Sequence, residues 1–274
     1  MRSALKYVTA ALLVFSVAHA SADDGKRAAA PGGGLVAAAV PDALPLAARD
    51  ASGGLVGFDI EVAKEIAKRL GRPLAFATPG WNAILAGDWN GRWDFSVSNI
   101  TPTEERSRRL DFPSVYRFEA VIVVVRKDDK SVSMPADASR KRVGAAQGTT
   151  FEHYLRRDLT IYAGDDAPDY LIAEPAIRLF ASKGEALNAL ARGDGLDAVV
   201  TSYSTAQAAI EAGLPLRIVP GFLFWEPVAV AVEKGNGALA RRIEEAVEAM
   251  TADGTLGALS TKWFGLDMTT PIAP

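Results

Sequence analysis

Arg106 closes the stretch of this 274-residue chain that carries the most chemistry: an apolar run at 95–98, then Asn99, Thr101, Thr103, two glutamates and the arginine. That order puts amide, hydroxyl and guanidinium donors just beyond the carboxyl end of a predicted strand, where open α/β sheets bind small ligands. A guanidinium presents a planar fork of N–H donors that matches a carboxylate. The chemistry is capture of a small anion or zwitterion. An arginine at a helix start also has a plainer role, pairing at the surface with Glu104 or Asp111.

Regular elements must hold these donors in place. Residues 55–73 read as a helix: Ile60, Ala63, Ile66, Ala67 and Leu70 share one face, Asp59 and Glu61 come early, Lys68 and Arg69 late, and Gly71 and Pro73 stop it. A strand at 74–77 and a short helix at 81–86 follow, and a strand at 95–98 delivers Asn99 and Thr101. The pattern then repeats. Residues 83–94 before the strand at 95–98 parallel residues 186–197 before a strand at 198–200, each giving helix, glycine turn, aspartate (Asp94 or Asp197), buried strand and polar end. The second helix opens with a capping box, Ser182 to Glu185.

Two α/β lobes of similar build, each presenting polar strand ends, imply a cleft between them. The apolar β-branched runs at 120–126 and 227–233 are predicted to be the two strands that cross between lobes. Helices at 238–252 and 255–264 end the fold. The expected division is lobe 1 at 35–122 and 228–274, discontinuous in sequence, and lobe 2 at 123–227.

Residues 1–20 carry Arg2 and Lys6, an apolar run at 7–17 and an Ala18-His19-Ala20 end, the pattern of a secretory signal peptide. A flexible leader is expected at 21–34, and the mature protein is expected to be soluble in the periplasm. The most apolar later run, 120–125, is only strand-sized. The sequence contains no cysteine, which excludes disulfides, thiol chemistry and a lipid anchor on cysteine. Hydrophobic residues at 49% suffice for a core, and the net charge of −3 becomes −5 once residues 1–20 are removed, which argues against nucleic acid or an anionic membrane as partner. The sequence offers no metal-ligand cluster, no Gly-x-x-x-x-Gly-Lys phosphate loop and no Ser-His-Asp set, so no cofactor is expected.

Four segments together carry a family resemblance: 55–64, 101–106 with 110–116, 143–155, and 252–256 with 262–265. In this order, over roughly residues 35–266, the chain resembles the extracytoplasmic solute-binding proteins of polar amino-acid ABC importers, family 3. The resemblance implies a two-lobed, type II periplasmic-binding-protein fold that closes on its ligand and delivers it, as a monomer, to a membrane permease. It implies that Arg106 clamps the ligand's carboxylate, with Thr101 and Asn99 lining the same lobe and Trp81 forming an aromatic wall. From the second lobe it implies Gly148, Thr149 and Thr150, whose N–H and hydroxyl groups open a helix, together with Ser202.

Two departures bear on the ligand. Typical members carry an aspartate five residues beyond the position of Asp197, and it takes the ligand's α-ammonium; here that position is Ser202. The family's Asp-x-x-Tyr-x-Pro-Phe run falls on residues 40–46, where Val40, Ala43 and Leu46 replace the aspartate and the two aromatics. An ammonium left unpaired in a closed cleft costs several kcal/mol, on the order of the penalty for any buried charge. Either another carboxylate substitutes, with Asp42 nearest and Asp165, Asp166 and Asp169 in an acidic stretch further off, or the ligand is a carboxylate compound other than a standard amino acid. The rival reading is an enzyme, since periplasmic dehydratases share this fold; it needs an acid or base in the cleft, for which His153, Glu119, Glu152 and Glu226 are the candidates. A third is a binding module that docks on a partner outside transport.

Overall fold

The computed structural model describes residues 28, 30–42, 44–161 and 168–270. The signal peptide, most of the leader, and Asp165 and Asp166 lie outside the described residues.

The chain runs β1 (Leu35–Ala38), β2 (Ala48–Arg49), β3 (Leu55–Val56), α1 (Phe58–Arg69), β4 (Leu74–Ala77), α2 (Trp81–Leu85), β5 (Phe95–Ile100), α3 (Glu104–Ser107) and β6 (Leu110–Arg126). It continues through β7 (Arg142–Ala146), α4 (Thr150–Arg156), β8 (Ala176–Phe180), α5 (Lys183–Arg192), β9 (Ala198–Ser202), α6 (Tyr203–Glu211), β10 (Leu216–Ile218), β11 (Phe224–Glu233), α7 (Gly237–Ala252) and α8 (Thr255–Phe264). The strands form one path, β4-β1-β5-β11-β6-β9-β7-β8, with β10 on β6 and with β2 and β3 as a separate pair. β1 is parallel to β4 and β5, and β7 is parallel to β8 and β9. The antiparallel β6 and β11 stand between these halves and join them. The fold is two-lobed, with two hinge strands and a cleft between the lobes.

Strand alternation explains why both faces of the sheet are covered. In β6, Val121, Val123 and Val125 pack in one core with Phe151 and Tyr154, while Ala120, Ile122 and Val124 pack in another with Leu187 and Leu190. β1 behaves likewise, with Leu35 and Ala37 facing α1 and α7, and Val36 and Ala38 facing Ile84 and Trp89. Successive side chains point to opposite faces, so a near-continuous apolar run needs helices on both sides. The α1 stripe read from the sequence is buried, and Val62 and Phe58 join it.

The repeated aspartates have one structural job. Asp94 Oδ2 accepts the N–H of Val36 at 2.7 Å, tying the start of β5 to β1. Asp197 Oδ2 accepts the N–H of Arg142 at 2.9 Å, tying the start of β9 to β7, and the Arg142 guanidinium adds a contact to Oδ1 at 2.7 Å. Each aspartate satisfies a strand-end donor that the ladder leaves unpaired. The capping box is half made: Ser182 Oγ accepts the Glu185 N–H at 3.1 Å, but the Glu185 carboxylate takes the N–H of Ala181.

Both hinge strands are longer than the sequence implies. β6 begins at Leu110 rather than near residue 120, running through Pro113, which reads as a strand breaker. β11 begins at Phe224, which brings Glu226 inside a strand.

Candidate functional site

A cavity of about 270 Å³ lies in the cleft, walled by both lobes and by β11. From the first half come residues at the ends of β1 and β5 and the starts of α1 and α2. From the second come the starts of α4, α5 and α6. Strand carboxyl ends and helix amino ends therefore converge on one space, the arrangement that suits a small polar ligand.

Arg106 sits in α3, whose N-cap Thr103 accepts the Arg106 N–H through its side chain. Its guanidinium is turned inward and buried: Nη1 donates to the Thr101 carbonyl at 2.9 Å and Nη2 to the Gly148 carbonyl at 3.0 Å. The surface pairings open to it on sequence are made by others, since Arg108 takes Glu104 at 2.9 Å and Lys234 lies 3.5 Å from Asp111. Trp81, the first residue of α2, stacks its ring 5.4 Å from the Arg106 guanidinium and donates Nε1–H to the same Gly148 carbonyl at 3.2 Å. Gly148 has φ of +69°, the left-handed region that glycine enters without penalty, and its carbonyl faces the opposite lobe.

The lobes also touch beside the cavity, where the Glu104 N–H donates to the Thr160 carbonyl at 3.1 Å and Thr103 bridges to Ile161. Thr101, Asn99, Trp81 and Arg106 line the cavity from one side, and Thr149 and Thr150 from the other. Gly148 contributes its carbonyl to the contact between lobes, while its N–H is taken by the Glu152 carboxylate at 2.8 Å. The Thr149 hydroxyl donates back to the Ala146 carbonyl at 2.6 Å. Ser202 is fully buried and does not line the cavity; its hydroxyl donates at 2.7 Å to Thr205, which does. Of the acids read from the sequence, Asp42 lines the cavity, exposed at its rim, and Asp169 does not. His153 lies outside, 3.0 Å from Asp158.

The cleft holds charge beyond Arg106, from Asp59, Lys183 and the candidate acid Glu226. Asp59, read as a helix-dipole acid, lines the cavity at 1% exposure, and Gly57 ahead of it packs so closely on the Leu46 carbonyl that an added Cβ would overlap it. Burial pushes the Asp59 carboxyl up to about 6, against the pull of Arg117 and the Tyr116 hydroxyl, which donates to it at 2.9 Å. Glu226 lines the cavity at 2% exposure, accepts the Thr150 hydroxyl, and is pushed upward by burial. Burial also pulls the Arg106 guanidinium down to about 10, leaving it charged at neutral pH. Lys183, at the start of α5, adds a second cation to the lining. Its only sequence signal is its place beside Ser182, where it reads as a helix-start residue.

Behind the cavity wall a buried relay crosses the hinge. Arg117 donates to the Asn99 side chain and, at 2.8 Å, to Glu119, which accepts the Ser204 N–H at the start of α6 at 3.2 Å. The relay fixes Asn99, whose φ is +54°, against the lobe-2 helix that carries Thr205. Among the described residues no cluster of His, Cys, Asp and Glu fits a metal, and no helix is long and apolar enough to cross a membrane.

Known proteins share this design. The L-cystine-binding protein TcyJ of Escherichia coli (strain K12) is 29% identical over 230 residues, 82% of this chain and 80% of the relative. An ancestral arginine-binding protein bound to glutamine superposes with a TM-score of 0.72 at 33% identity, over 85% of this chain and 98% of that one. AncCDT-1, an ancestral amino-acid-binding protein described as a precursor of cyclohexadienyl dehydratase, matches at TM-score 0.70 and 28% identity, over 85% and 95%. Residues 35–266 match the family model, so the chain belongs to the bacterial extracellular solute-binding proteins, family 3.

Proposed function

We propose that the protein captures a small carboxylate-bearing solute, an amino acid or a related compound, in the periplasm and hands it as a monomer to the permease of an ABC importer. The observation that carries this reading is the convergence of Arg106 and Trp81 from one lobe with Thr149 and Thr150 from the other around one cavity. The ligand's carboxylate would take the guanidinium face, with Thr101 and Asn99 beside it, Thr149 and Thr150 opposite, and Ser202 acting through Thr205. Because the donors belong to different lobes, a ligand held by all of them favours the closed state by contacts that the open state lacks. The names of the relatives support amino acids as the class.

A thermal-shift screen against amino acids, plain carboxylates, polyamines and aromatic acids tests the reading, since a ligand that binds only the folded state raises the melting point. A shift with at least one α-amino acid or carboxylate is expected. Silence across both classes, or shifts with polyamines alone, overturns it and moves weight to a module that docks on a partner outside transport.

A second reading is favoured by two carboxyls in the cleft, Asp59 and Glu226, that burial holds upward. A raised carboxyl pKa is what a general acid needs at neutral pH. Incubating the protein with a cyclohexadienyl acid and following aromatic absorbance separates the two; the binding reading expects no turnover.

A further inference from the structure

Of the two cations on the cavity wall, Arg106 is hydrogen-bonded to carbonyls of both lobes and Lys183 is not bonded at all. Among the described residues the Lys183 ammonium makes no hydrogen bond and no ion pair. Glu185, the acid nearest to it in sequence, is spent on the Ala181 N–H at 3.0 Å. Helix stability does not account for a lysine here. It is the first residue of α5, at the positive end of the helix dipole, which favours acids instead.

The turn that carries Lys183 is fixed beside the one that meets Arg106. β8 lies parallel to β7, and the Gln147 N–H beyond β7 donates at 2.9 Å to the Phe180 carbonyl at the end of β8. Arg106 touches the first turn at Gly148, and Lys183 lines the cavity from the second together with Ala181 and Ser182. Its charge spans the space. On Asp59, in the opposite lobe, burial pushes the carboxyl up, and Arg117, the Tyr116 hydroxyl and Lys183 pull it back.

Charge balance shows what this end of the cavity can accept. Arg106 offsets Glu226, and Arg117 and Lys183 together offset Glu119 and Asp59, so the wall and its backing are neutral when all of them are ionised. Asp42 is exposed at the rim, where water screens it. An arriving anion has an acid beside it that can absorb the added charge. Burial pushes Glu226 upward and Asp59 to about 6, so each can take up a proton at little cost, Glu226 near Arg106 and Asp59 within reach of Lys183. An ammonium is strongly hydrated, and closing the cleft strips that water. A neutral acceptor replaces little of the loss, whereas a carboxylate replaces it with a charge-assisted hydrogen bond.

Resting on the proposed function, we infer that Lys183 is a specificity-determining residue that takes a second carboxylate of the ligand, the first being held by Arg106, so that the solutes captured are diacids, with or without an amino group. The reading separates two ends of one cavity by their cations and leaves the rest of the ligand to the walls between them.

The test compares each diacid with the isosteric monoamide: L-glutamate with L-glutamine, L-aspartate with L-asparagine, and glutarate with 4-carbamoylbutanoate. Calorimetric titration of the wild-type protein near pH 6 is expected to show at least one pair in which the diacid binds about tenfold or more tighter, the value of one hydrogen bond between charged partners. Lys183→Met is expected to remove that preference by weakening the diacid, and Lys183→Arg, which keeps the charge, to retain it. Urea unfolding of both variants confirms the fold. An amide that matches or exceeds its diacid in every pair, binding of other solutes with all three diacids silent, or a preference unchanged in Lys183→Met overturns the inference and leaves the carboxylate-binding reading standing. If none of these compounds titrates and the wider screen is also silent, that reading falls with it.

Discussion

Arg106 and Gly148 meet across the cleft, a guanidinium Nη2 of one lobe donating at 3.0 Å to a main-chain carbonyl of the other. The carbonyl is shared, because Trp81 Nε1 reaches it from the same side as Arg106. Two donors on one acceptor give the closed arrangement a contact that does not depend on solvent-exposed side chains.

Trp81→Phe keeps the ring near Arg106 and removes the donor to Gly148. One net hydrogen bond is worth about 0.5–1.5 kcal/mol, so ligand affinity should fall roughly two- to tenfold with the melting point of the ligand-free protein changing little. Trp81→Ala should lose more, because the aromatic wall goes too. Titration calorimetry on both variants checks the order; equal affinities for the wild type and both variants would remove Trp81 from the site.

Asp59 links the cleft to stability through pH. Its carboxyl is raised from 3.8 to about 6 in the folded protein, so between these values the folded state holds the proton that the unfolded state has released. Stability contributed at this site is present below about pH 4 and is lost as pH rises through about 6, with a full span of roughly 3 kcal/mol. Asp59→Asn should flatten that part of the profile relative to the wild type. Urea unfolding at pH 4, 5, 6 and 7 measures it, and parallel profiles for the two proteins would show that Asp59 does not titrate in this window.

Asp94 and Asp197 do the same work in the two lobes, each accepting a strand-end N–H. Asp94→Ala should destabilise by about 1–3 kcal/mol, the cost of orphaning the N–H of buried Val36, and Asp197→Ala by less, because its Arg142 donor is exposed and water can take its place. The two aspartates tie different strand pairs in opposite halves of the sheet, so the double variant should lose the sum. Affinity for ligand in the folded variants should stay near wild type. Denaturant midpoints give the first result and titration the second; an effect on affinity larger than on stability would mean that the aspartates act in the cleft instead.

Much of the architecture was legible because it rests on local patterns. The α1 stripe, the helices at 237–252 and 255–264, and the repeated helix-glycine-aspartate-strand unit all follow from periodicity and turn chemistry within a dozen residues. The long β6 was not, because Pro113 reads as a breaker and the first part of the strand is sustained by its pairing with β11. At the cleft, the Arg106 region announces itself by residue type. Glu226 was visible as a candidate acid without a place, since an acid at the head of an apolar run looks like a strand boundary. Asp59 looked like a helix-dipole residue, and Lys183 gave no signal beyond its helix start. What places these three on one cavity is contact between segments 43 to 167 residues apart, which no local pattern encodes. Ser202 shows the converse: its position in the chain is that of a ligand residue, yet its hydroxyl is spent on Thr205.

The most direct measurement is calorimetric titration of the best ligand from the thermal-shift screen into the wild-type protein and Arg106→Ala in parallel, with urea unfolding of both to confirm the fold. Charge-assisted hydrogen bonds are worth about 1.5–3 kcal/mol each, so losing a two-pronged clamp should reduce affinity at least 100-fold while unfolding stays cooperative. A folded Arg106→Ala protein that binds the same ligand within a few-fold of wild type would contradict the assignment of Arg106 as the carboxylate clamp and the account of the cleft built on it.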